Sequence, residues 1–300
     1  MVEILDVGEP SVGPDEVIVD VVAAGICGSE LHGIDRPGFR VPPLVMGHEF
    51  TGTADGRRVV VNPLLTCGAC DRCDAGRTQL CRHRKLLGVH RPGGFAERVA
   101  VPRSALHAIP SSMSWDAAAM VEPMANAIHA WKLVAGLPRG RVGVIGAGTI
   151  GLVCLLGAKE GGALHVSVGD LAEERLGIAR RLGADRTSRA LEGEFDVIFD
   201  AVGLPATRRE SVARLVPGGT AVWLGLMSPE PGFDAMALVR DEHRVFGSFA
   251  YTDEEFAEAI DLVGRSDVGW TESFPLAEGK AVFDGLRNGR TDLVKALLRP

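Results

Sequence analysis

Short apolar runs alternate with helical stretches through the middle of the chain. Residues 142–145 form an apolar run of the kind expected for a buried strand, and an apolar helical stretch follows it. The segment AEERLGIARRLGA (172–184) is predicted to be a helix. Further strands are predicted at residues 164–168, 195–203, 220–227 and 244–249. Pro217, Gly218 and Gly219 predict a turn before the strand at 220–227. Strands that alternate with helices indicate a parallel sheet with helices on both faces.

The first hundred or so residues have a different pattern, which is rich in β-branched residues. The segments DEVIVDVVAAGIC (15–27), RRVVVNP (57–63) and FAERVAVP (95–102) are all typical of strands. A chain of 300 residues is long enough for two domains that each have a core. The pattern therefore predicts a β-rich domain followed by an α/β domain.

Composition and charge exclude several classes of partner. The net charge is −7 and no block of Lys and Arg stands out, which argues against a nucleic-acid or membrane-surface partner. No run of eighteen apolar residues is present, and the start MVEILDVGEP lacks the basic and apolar blocks of a secretory signal. We therefore expect a cytoplasmic protein that acts on a small molecule.

Four of the six cysteines lie in one segment, TCGACDRCDAGRTQLCR (66–82), with the spacing C-x2-C-x2-C-x7-C. Clustered cysteines in a cytosolic chain favour metal binding or redox chemistry. Four thiolates suit tetrahedral Zn²⁺ and leave no open coordination position. Ferredoxin-type runs instead have the fourth cysteine three residues on, followed by proline, whereas here the gap is seven and Arg82 follows. We expect structural zinc, with an iron–sulfur cluster or free thiols as the alternatives.

Gly146, Gly148 and Gly151 form a G-x-G-x-x-G motif directly after the strand predicted at 142–145. In such a motif the glycines allow a tight turn, close approach of a pyrophosphate and close packing of helix on strand. The helix N-terminus offers N–H groups to the phosphates. Asp170 follows the next predicted strand, where it can bind ribose hydroxyls and repel a 2′-phosphate, so NAD is favoured over NADP. The alternative is an α/β domain whose glycines serve only packing.

Two N-terminal segments carry further candidate metal ligands and proton-transfer groups. They are GICGSELHG (25–33), with Cys27, Ser29, Glu30 and His32, and MGHEF (46–50), with His48 and Glu49. A Cys, a His and a carboxylate near a nicotinamide site could form an open zinc site with three protein ligands plus water or substrate.

The order of these motifs resembles the zinc-dependent medium-chain dehydrogenase/reductase family. C-G-S-x-x-H is followed by G-H-E, the four-cysteine loop, E-P-M-A and G-A-G-T-I-G, so the resemblance covers nearly the whole chain. It implies an α/β protein made of a GroES-like β-barrel that carries catalytic zinc and a Rossmann domain. The implied boundaries are a catalytic domain at 1–123, an NAD-binding domain at 124–249, and a return to the catalytic domain at 250–300.

The resemblance also implies roles for the residues at matching positions. Cys27 and His48 would ligate the catalytic zinc. Ser29 would contact the substrate oxygen and begin a proton relay through the cofactor ribose to His32. The structural zinc would be held by Cys67, Cys70, Cys73 and Cys81. NAD contacts are expected from Gly146, Gly148, Thr149, Ile150, Gly151, Asp170, Arg175 and Val202.

The third ligand of the catalytic zinc is a carboxylate in this expectation. Alcohol dehydrogenases of the family take it from a Cys before the Rossmann domain, but this region reads MVEPMANAIHAW (120–131). Glu122 occupies the position of a Glu in the polyol and threonine dehydrogenase branch, where the Glu of G-H-E, here Glu49, is often the direct ligand. Glu122 would then lie close by, bound directly or through water. The alternative is that Glu122 only caps or salt-bridges the linking helix.

Two features depart from the family pattern. The family usually has Asp at the position of Glu30, and this Asp orients the ligand histidine. The segment GHEFTGTADGRRVVV (47–61) is also shorter than the strand–turn–strand usual in the family, which leads us to expect more open ends of the barrel.

These observations predict a two-zinc oxidoreductase that transfers a hydride between NAD and the carbinol carbon of a polyol, sugar, cyclitol or amino alcohol, with zinc as the Lewis acid. A homodimer or homotetramer is expected. One alternative is a simple alcohol or aldehyde dehydrogenase, against which the missing Cys ligand argues. The other is a non-catalytic NAD- and zinc-binding regulatory homologue, against which the presence of Cys27, Ser29 and His48 argues.

Overall fold

The chain divides into two compact units. A computed structural model describes residues 2–35, 38, 40–290 and 292–300. One unit comprises Met1–Glu122 and Thr252–Pro300, and the other comprises Pro123–Tyr251. Among the described residues, no helix has the length and apolar character needed to cross a membrane.

A largely antiparallel sheet forms the centre of the first unit. Its strands are β1 (Glu16–Gly25), β2 (Glu49–Ala54), β3 (Arg57–Val61), β6 (Arg98–Pro102), β7 (Leu106–Ala108), β14 (Thr271–Pro275) and β15 (Lys295–Arg299). The order is β14-β15-β1-β2-β3-β7, and β6 also pairs with β1. The last strand of the chain therefore lies beside the first, and the residues at their ends meet.

Strand β1 has the alternation expected of a strand with one buried face. Val17, Val19 and Val21 point into the apolar core, and Asp20 between them is exposed. Its first half pairs with β6 and its second half with β2. Strand β1 therefore connects β6 to β2 within the sheet.

The connection between β2 and β3 is a two-residue turn. Asp55 has a φ of 49° and Gly56 a φ of 73°, the left-handed pair that a tight hairpin with native twist requires. The shortened segment noted in the sequence is thus a closed hairpin. The predicted strands at 15–27, 57–63 and 95–102 correspond to β1, β3 and β6.

The remaining elements of the first unit are short strands and helices around this sheet. Strands β4 (Leu64–Leu65) and β5 (Lys85–Leu86) pair at the two ends of the cysteine segment. The helices are α1 (Gly28–Gly33), α2 (Asp71–Asp74), α3 (Trp115–Ala118), α9 (Asp253–Arg265) and α10 (Gly279–Arg287), with 3₁₀ turns at Thr78–Leu80, Arg103–Ala105 and Leu276–Glu278.

A parallel sheet forms the second unit. Its strands are β8 (Arg141–Ile145), β9 (His165–Gly169), β10 (Arg186–Ser188), β11 (Phe195–Asp200), β12 (Leu215–Trp223) and β13 (Arg244–Gly247). They lie in the order β10-β9-β8-β11-β12-β13, and every pairing is parallel. This is the 3-2-1-4-5-6 order of dinucleotide-binding folds, and its crevice lies between β8 and β11, where the direction of winding reverses.

Helices accompany these strands in the alternation that the sequence predicts. They are α4 (Val121–Lys132), which begins in the first unit, α5 (Thr149–Glu160), α6 (Glu173–Arg181), α7 (Pro205–Ala213) and α8 (Ala235–Arg240). Helix α5 is apolar almost all round, because it packs on the sheet, and its Cys154 is buried.

Several predicted element boundaries are wrong. The strands predicted at 220–227 and 244–249 end earlier, at Trp223 and Gly247. The strand predicted at 195–203 ends at Asp200, because Val202 and Gly203 donate hydrogen bonds to its side chain and turn the chain. The predicted turn at 217–219 lies inside β12, which starts at Leu215. Gly218, with a φ of 77°, falls in an irregular stretch of the pairing with β11, so a local bulge takes the place of a turn.

Candidate metal and cofactor sites

Four cysteine sulfurs converge in the segment between β4 and β5. The Sγ atoms of Cys67, Cys70, Cys73 and Cys81 lie within 4.8 Å of one another. The separations are 3.4 Å for Cys67–Cys81, 3.7 Å for Cys70–Cys73 and 3.9 Å for Cys70–Cys81. Four sulfur ligands at about 2.3 Å from a tetrahedral zinc ion are about 3.8 Å from one another, so the four thiols fit zinc. None of them forms a disulfide.

Backbone conformation and backbone hydrogen bonds favour metal binding by this segment. Gly68 and Gly76 have φ values of 69° and 70°, which allow the tight turns around the sulfurs. The N–H groups of Cys67 and His83 each donate to Cys81 Sγ at 3.3 Å. Burial alone would raise the pKa of Cys81, but these N–H bonds, together with hydrogen bonds from the Cys67 and Cys73 thiols, lower it. The thiolate that a metal requires is thereby favoured.

A second group of candidate ligands forms where β1 ends and β2 begins. Antiparallel pairing sets Gly25 opposite Glu49, so Cys27 just beyond β1 comes close to His48. Ligand atoms of Cys27, His48 and Glu49 lie within 4.8 Å of one another. His48 and Glu49 are buried, and Cys27 is partly exposed. A thiol, an imidazole and a carboxylate with one exposed side fit an open zinc site.

Glu30 orients this group despite being one methylene longer than the usual Asp. It is fully buried, and its Oε1 accepts from Gly47 N and pairs with His48 Nδ1, both at 3.0 Å. Its Oε2 accepts from the backbone N–H of Cys27 at 3.0 Å, which closes a capping box on α1. One carboxylate thus reaches both the backbone at the start of α1 and the ring of His48. Because Nδ1 of His48 is paired with Glu30, Nε2 is the ring nitrogen that remains available to a metal.

The charges of Glu30 and His48 stabilise each other. Burial alone would disfavour the charged form of both groups. Attraction to Glu30 and Cys27 and the hydrogen bonds to both outweigh burial and raise the pKa of His48. Attraction to His48 and the hydrogen bonds from His48 and Cys27 N outweigh burial and lower the pKa of Glu30. Arg40 adds to the effect on Glu30, and its guanidinium also donates to the carbonyls of Ser29 at 3.0 Å and Gly88 at 3.3 Å.

Glu49 has a partner that sequence reasoning missed. The ammonium of Lys295, on β15, donates to Glu49 Oε2 and to the carbonyl of Ile26, and both side chains are 1% exposed. Burial would lower the pKa of Lys295, but the charges of Glu49, Cys27 and Glu122 raise it. The signal in the sequence was a lone Lys inside the apolar run VKALL (294–298).

Glu122 lies near the group but outside it. It is 8% exposed at the start of α4, and its charge acts on Lys295. The group within 4.8 Å contains Glu49 and does not include Glu122. The expected relay residues share one helix: Ser29 and His32 lie three positions apart on α1, Ser29 half-buried and His32 exposed.

In the second unit, the glycine motif follows β8 at the reversal point of the sheet. Gly146 has a φ of 91°, and Gly151 packs on the Gly146 carbonyl too closely for any side chain. Gly148, the N-cap of α5, has an ordinary φ, and a Cβ there would meet no protein atom within 4 Å. The fold itself therefore needs the first and third glycines, and the second leaves room for a phosphate at the helix N-terminus.

Asp170 lies directly after β9, and its carboxylate holds the glycine turn. Its Oδ2 accepts from Ala147 N at 2.7 Å and its Oδ1 from Ala172 N at 2.8 Å. A carboxylate has about four acceptor positions, so both oxygens keep room for ribose hydroxyls. Arg175 is the third residue of α6, and Thr149 and Ile150 lie in the first turn of α5.

Val202 and Asp200 complete the crevice between β8 and β11. A Cβ on Gly146 would lie 2.5 Å from Val202, so the two strand ends meet. Asp200 is fully buried at the end of β11 and accepts from Val202 N at 3.0 Å, Gly203 N at 2.9 Å and Thr207 Oγ1 at 3.1 Å. Burial raises the pKa of Asp200. Sequence reasoning missed this residue, although an acid followed by A-V-G at a strand end was a signal for it.

Comparisons with known proteins agree with both units. The family profile described as "Alcohol dehydrogenase GroES-like domain" matches residues 13–111, and "Zinc-binding dehydrogenase" matches residues 149–265. L-threonine 3-dehydrogenase of Streptomyces avermitilis is 35% identical, with 96% of this chain and 93% of that protein covered. The chain belongs to the zinc-dependent medium-chain dehydrogenase/reductase family.

Other members of the medium-chain family extend the comparison. (R,R)-butanediol dehydrogenase of Saccharomyces cerevisiae is 31% identical, with 98% of this chain and 94% of that protein covered. The solved structure of a zinc-binding dehydrogenase from Sinorhizobium meliloti 1021 bound to NADP has a TM-score of 0.90 and 30% identity, with 98% of this chain and 94% of that chain covered. The chain falls in the threonine and polyol dehydrogenase-like branch, and it is a zinc-dependent dehydrogenase that uses a nicotinamide cofactor. The predicted GroES-like and Rossmann domains are confirmed.

Proposed function

We propose that this protein oxidises, reversibly with NAD, the carbinol carbon of a polyol, sugar, cyclitol or amino alcohol. The observation that carries the proposal is the group Cys27, His48 and Glu49, which offers one thiolate and one carboxylate where a simple alcohol dehydrogenase offers two thiolates. Glu122 adds a second carboxylate nearby. Such an oxygen-rich set exchanges ligands more readily than a thiolate-rich one.

The substrate would carry a second hydroxyl or an amino group beside the reacting carbon. Two relatives are named for L-threonine and (R,R)-butanediol, and both molecules have a heteroatom next to the carbinol carbon. When bound, zinc supplies a Lewis acid for the substrate oxygen, and NAD accepts the hydride. A second heteroatom could enter the same coordination sphere, and this would favour the diol or amino alcohol over a simple alcohol.

The residues of α1 would manage the proton. Ser29 would accept the hydrogen bond of the reacting hydroxyl, and His32 would release the proton to solvent through the cofactor ribose. Their spacing on one helix face, with Ser29 half-buried and His32 exposed, supports a path from the site outwards. Glu30 would hold the ring of His48, so that His48 presents only Nε2 to zinc.

Cofactor binding would fall to the second unit. The pyrophosphate would lie at Gly146, Gly148, Thr149, Ile150 and Gly151, where the empty space over Gly148 supports it. Asp170 would bind the ribose hydroxyls and disfavour a 2′-phosphate. Arg175 and Val202 would flank the adenosine and nicotinamide ends. NAD is therefore preferred over NADP, although one similar protein was solved with NADP.

The remaining features support a stable framework. Structural zinc would be held by Cys67, Cys70, Cys73 and Cys81, and it would brace the segment between β4 and β5. The catalytic domain would consist of 1–123 and 250–300, around a cofactor domain at 124–249; the compact units Met1–Glu122 with Thr252–Pro300 and Pro123–Tyr251 support this division. Six reduced thiols are consistent with a cytoplasmic location.

A homodimer or homotetramer would use the free side of β13. This strand ends the parallel sheet and has a neighbour only in β12 among the described strands. Exposed Leu226, Met227, Met236 and Val239 supply apolar surface in the same unit. Analytical ultracentrifugation of the wild type, with Val245→Pro as the edge variant, would test this; a monomeric wild type would contradict it.

The activity test is a substrate panel followed by NADH absorbance. Polyols, cyclitols, vicinal diols and β-hydroxy amino acids are compared with ethanol and other monohydric alcohols, and Cys27→Ser is the inactive control. Turnover of the first group, absent in Cys27→Ser, is expected. Equal turnover of ethanol would favour the simple alcohol dehydrogenase. No turnover of any hydroxyl compound in either direction would favour the non-catalytic homologue.

A further inference from the structure

Lys295 is a buried ammonium directly behind the candidate zinc ligands. It lies on β15, and its side chain is 1% exposed. Its ammonium donates hydrogen bonds to Glu49 Oε2 and to the carbonyl of Ile26, the residue next to Cys27. A buried charge is costly unless it is paired and hydrogen-bonded, and among the described residues Lys295 meets both conditions through Glu49 of the zinc group and Ile26 beside Cys27.

The backbone is shaped to admit this pair. Gly25 lies opposite Glu49 in the β1–β2 pairing, and a Cβ there would collide with Glu49 Oε2 and lie 2.7 Å from Lys295 Cε. Gly25 has no unusual backbone angle that would require a glycine, since it is absent from the residues with positive φ. Its lack of a side chain is therefore explained by the space that the Glu49–Lys295 pair occupies.

The acidic groups around the site carry more negative charge than one zinc ion can neutralise, and Lys295 supplies the missing positive charge. Metal binding requires the deprotonated forms of Cys27 and Glu49. Together with Glu122 they carry one negative charge more than Zn²⁺ can offset. Lys295 lies close enough to all three for their charges to act on it, whereas the charge of Glu30 is offset by Arg40 and by the N–H groups of Cys27, Gly47 and the His48 ring.

We propose that Lys295 is a positioning residue that holds one oxygen of Glu49 away from the metal and offsets the surplus charge of Glu122. This inference rests on the proposed zinc site. Glu49 would then offer zinc a single oxygen, and a bound metal would keep the electron deficiency that a Lewis acid needs. Without the ammonium, Glu49 is free to bind with both oxygens, so zinc is held more tightly and activates the substrate less.

The test measures zinc release against a chelator in the zinc-loaded enzyme, together with kcat. Lys295→Met is expected to retain its catalytic zinc up to roughly tenfold higher chelator concentration, while kcat falls by roughly 10–100-fold. Lys295→Arg should recover part of kcat. Glu122→Gln should release zinc at lower chelator concentration, and Lys295→Met/Glu122→Gln should return near the wild-type value because the two charge changes cancel.

A purely structural ion pair gives a different result. In that case Lys295→Met releases zinc at the same or lower chelator concentration, and the double variant releases it no later than Glu122→Gln does. Either outcome overturns the proposal, as does an unchanged kcat. If Lys295→Met alone fails to fold, the comparison of Glu122→Gln with the double variant still decides.

Two controls separate this proposal from the proposed function. Arg299→Met removes a charge on the same strand, where Arg299 pairs with Asp116 at the surface, and should leave zinc release unchanged. Cys27→Ser should retain only the structural zinc, which identifies the catalytic zinc in the wild-type release curve. If Cys27→Ser keeps two zinc ions per chain, the proposed metal site itself is wrong, whatever Lys295→Met does.

Discussion

Replacing Glu30 by Gln turns one hydrogen-bond acceptor beside the candidate zinc ligands, Oε2, into a donor. Glu30 Oε1 accepts from both Gly47 N and His48 Nδ1, and within the described part of the chain Oε2 accepts from Cys27 N alone. A Gln whose oxygen takes the Oε1 position keeps the first two bonds. Its amide NH₂ then faces the N–H of Cys27, so two donors meet in a fully buried place.

The expected cost follows from this count. Each stranded buried donor costs about 1–3 kcal/mol of folding free energy, so Glu30→Gln, which strands two donors, costs about 2–6 kcal/mol, and Glu30→Ala, which strands three, costs about 3–9 kcal/mol. The larger figure approaches the whole stability of a typical domain, so Glu30→Gln is the informative variant and Glu30→Ala is expected to fold poorly. Loss of the carboxylate behind His48 should also weaken zinc binding by roughly 10–100-fold.

The assay pairs chelator-driven zinc release with urea unfolding of the zinc-loaded protein. Glu30→Gln should lose catalytic zinc at lower chelator concentration than wild type and retain its structural zinc. Glu30→Asp tests whether the length of this side chain matters. A side chain one methylene shorter is expected to lose its hydrogen bond to either Cys27 N or His48. Wild-type zinc retention and kcat in Glu30→Gln would refute the reasoning, because the carboxylate would then have no part in holding His48.

Three further changes test other parts of the account. Cys70→Ser should release one zinc per chain and lower the unfolding midpoint while the catalytic zinc stays. Unchanged zinc content in a folded variant would contradict a structural zinc site at the four cysteines. Asp170→Ala should raise KM for NAD more than KM for NADP, and a wild type with equal kcat/KM for both would remove that role from Asp170. Glu122→Ala should lower kcat with little change in NAD binding by fluorescence titration, and full activity would leave Glu122 as a helix-start acid only.

Local motifs made much of the site predictable from the sequence. The cysteine spacing at Cys67 to Cys81 predicts four converging sulfurs because all four lie on one short loop. The G-x-G-x-x-G motif predicts a turn whose first and third glycines the fold requires, as Gly146 and Gly151 bear out. In both cases the residues that meet in space are near in the chain.

What escaped prediction depends on contacts between distant segments. Lys295 and Glu49 are 246 positions apart, and only the pairing of β15 with β1 brings them together. The role of Glu30 depends on helix α1 facing the start of β2, which no local pattern encodes. The strand boundary at Leu215 was missed because Gly218 and Gly219 favour a turn, and sheet pairing overrides that preference.

The most direct test of the central claim compares kcat/KM for 2,3-butanediol and 2-butanol with NAD, since the two alcohols differ only in the second hydroxyl. A site that binds both oxygens of the diol predicts a preference of at least about a hundredfold, because the monohydric alcohol leaves polar groups of the site unpaired. Cys27→Ser should abolish turnover of both. Equal kcat/KM values for the two alcohols would contradict a site built around Cys27, His48 and the Glu49 carboxylate for polyol-type substrates.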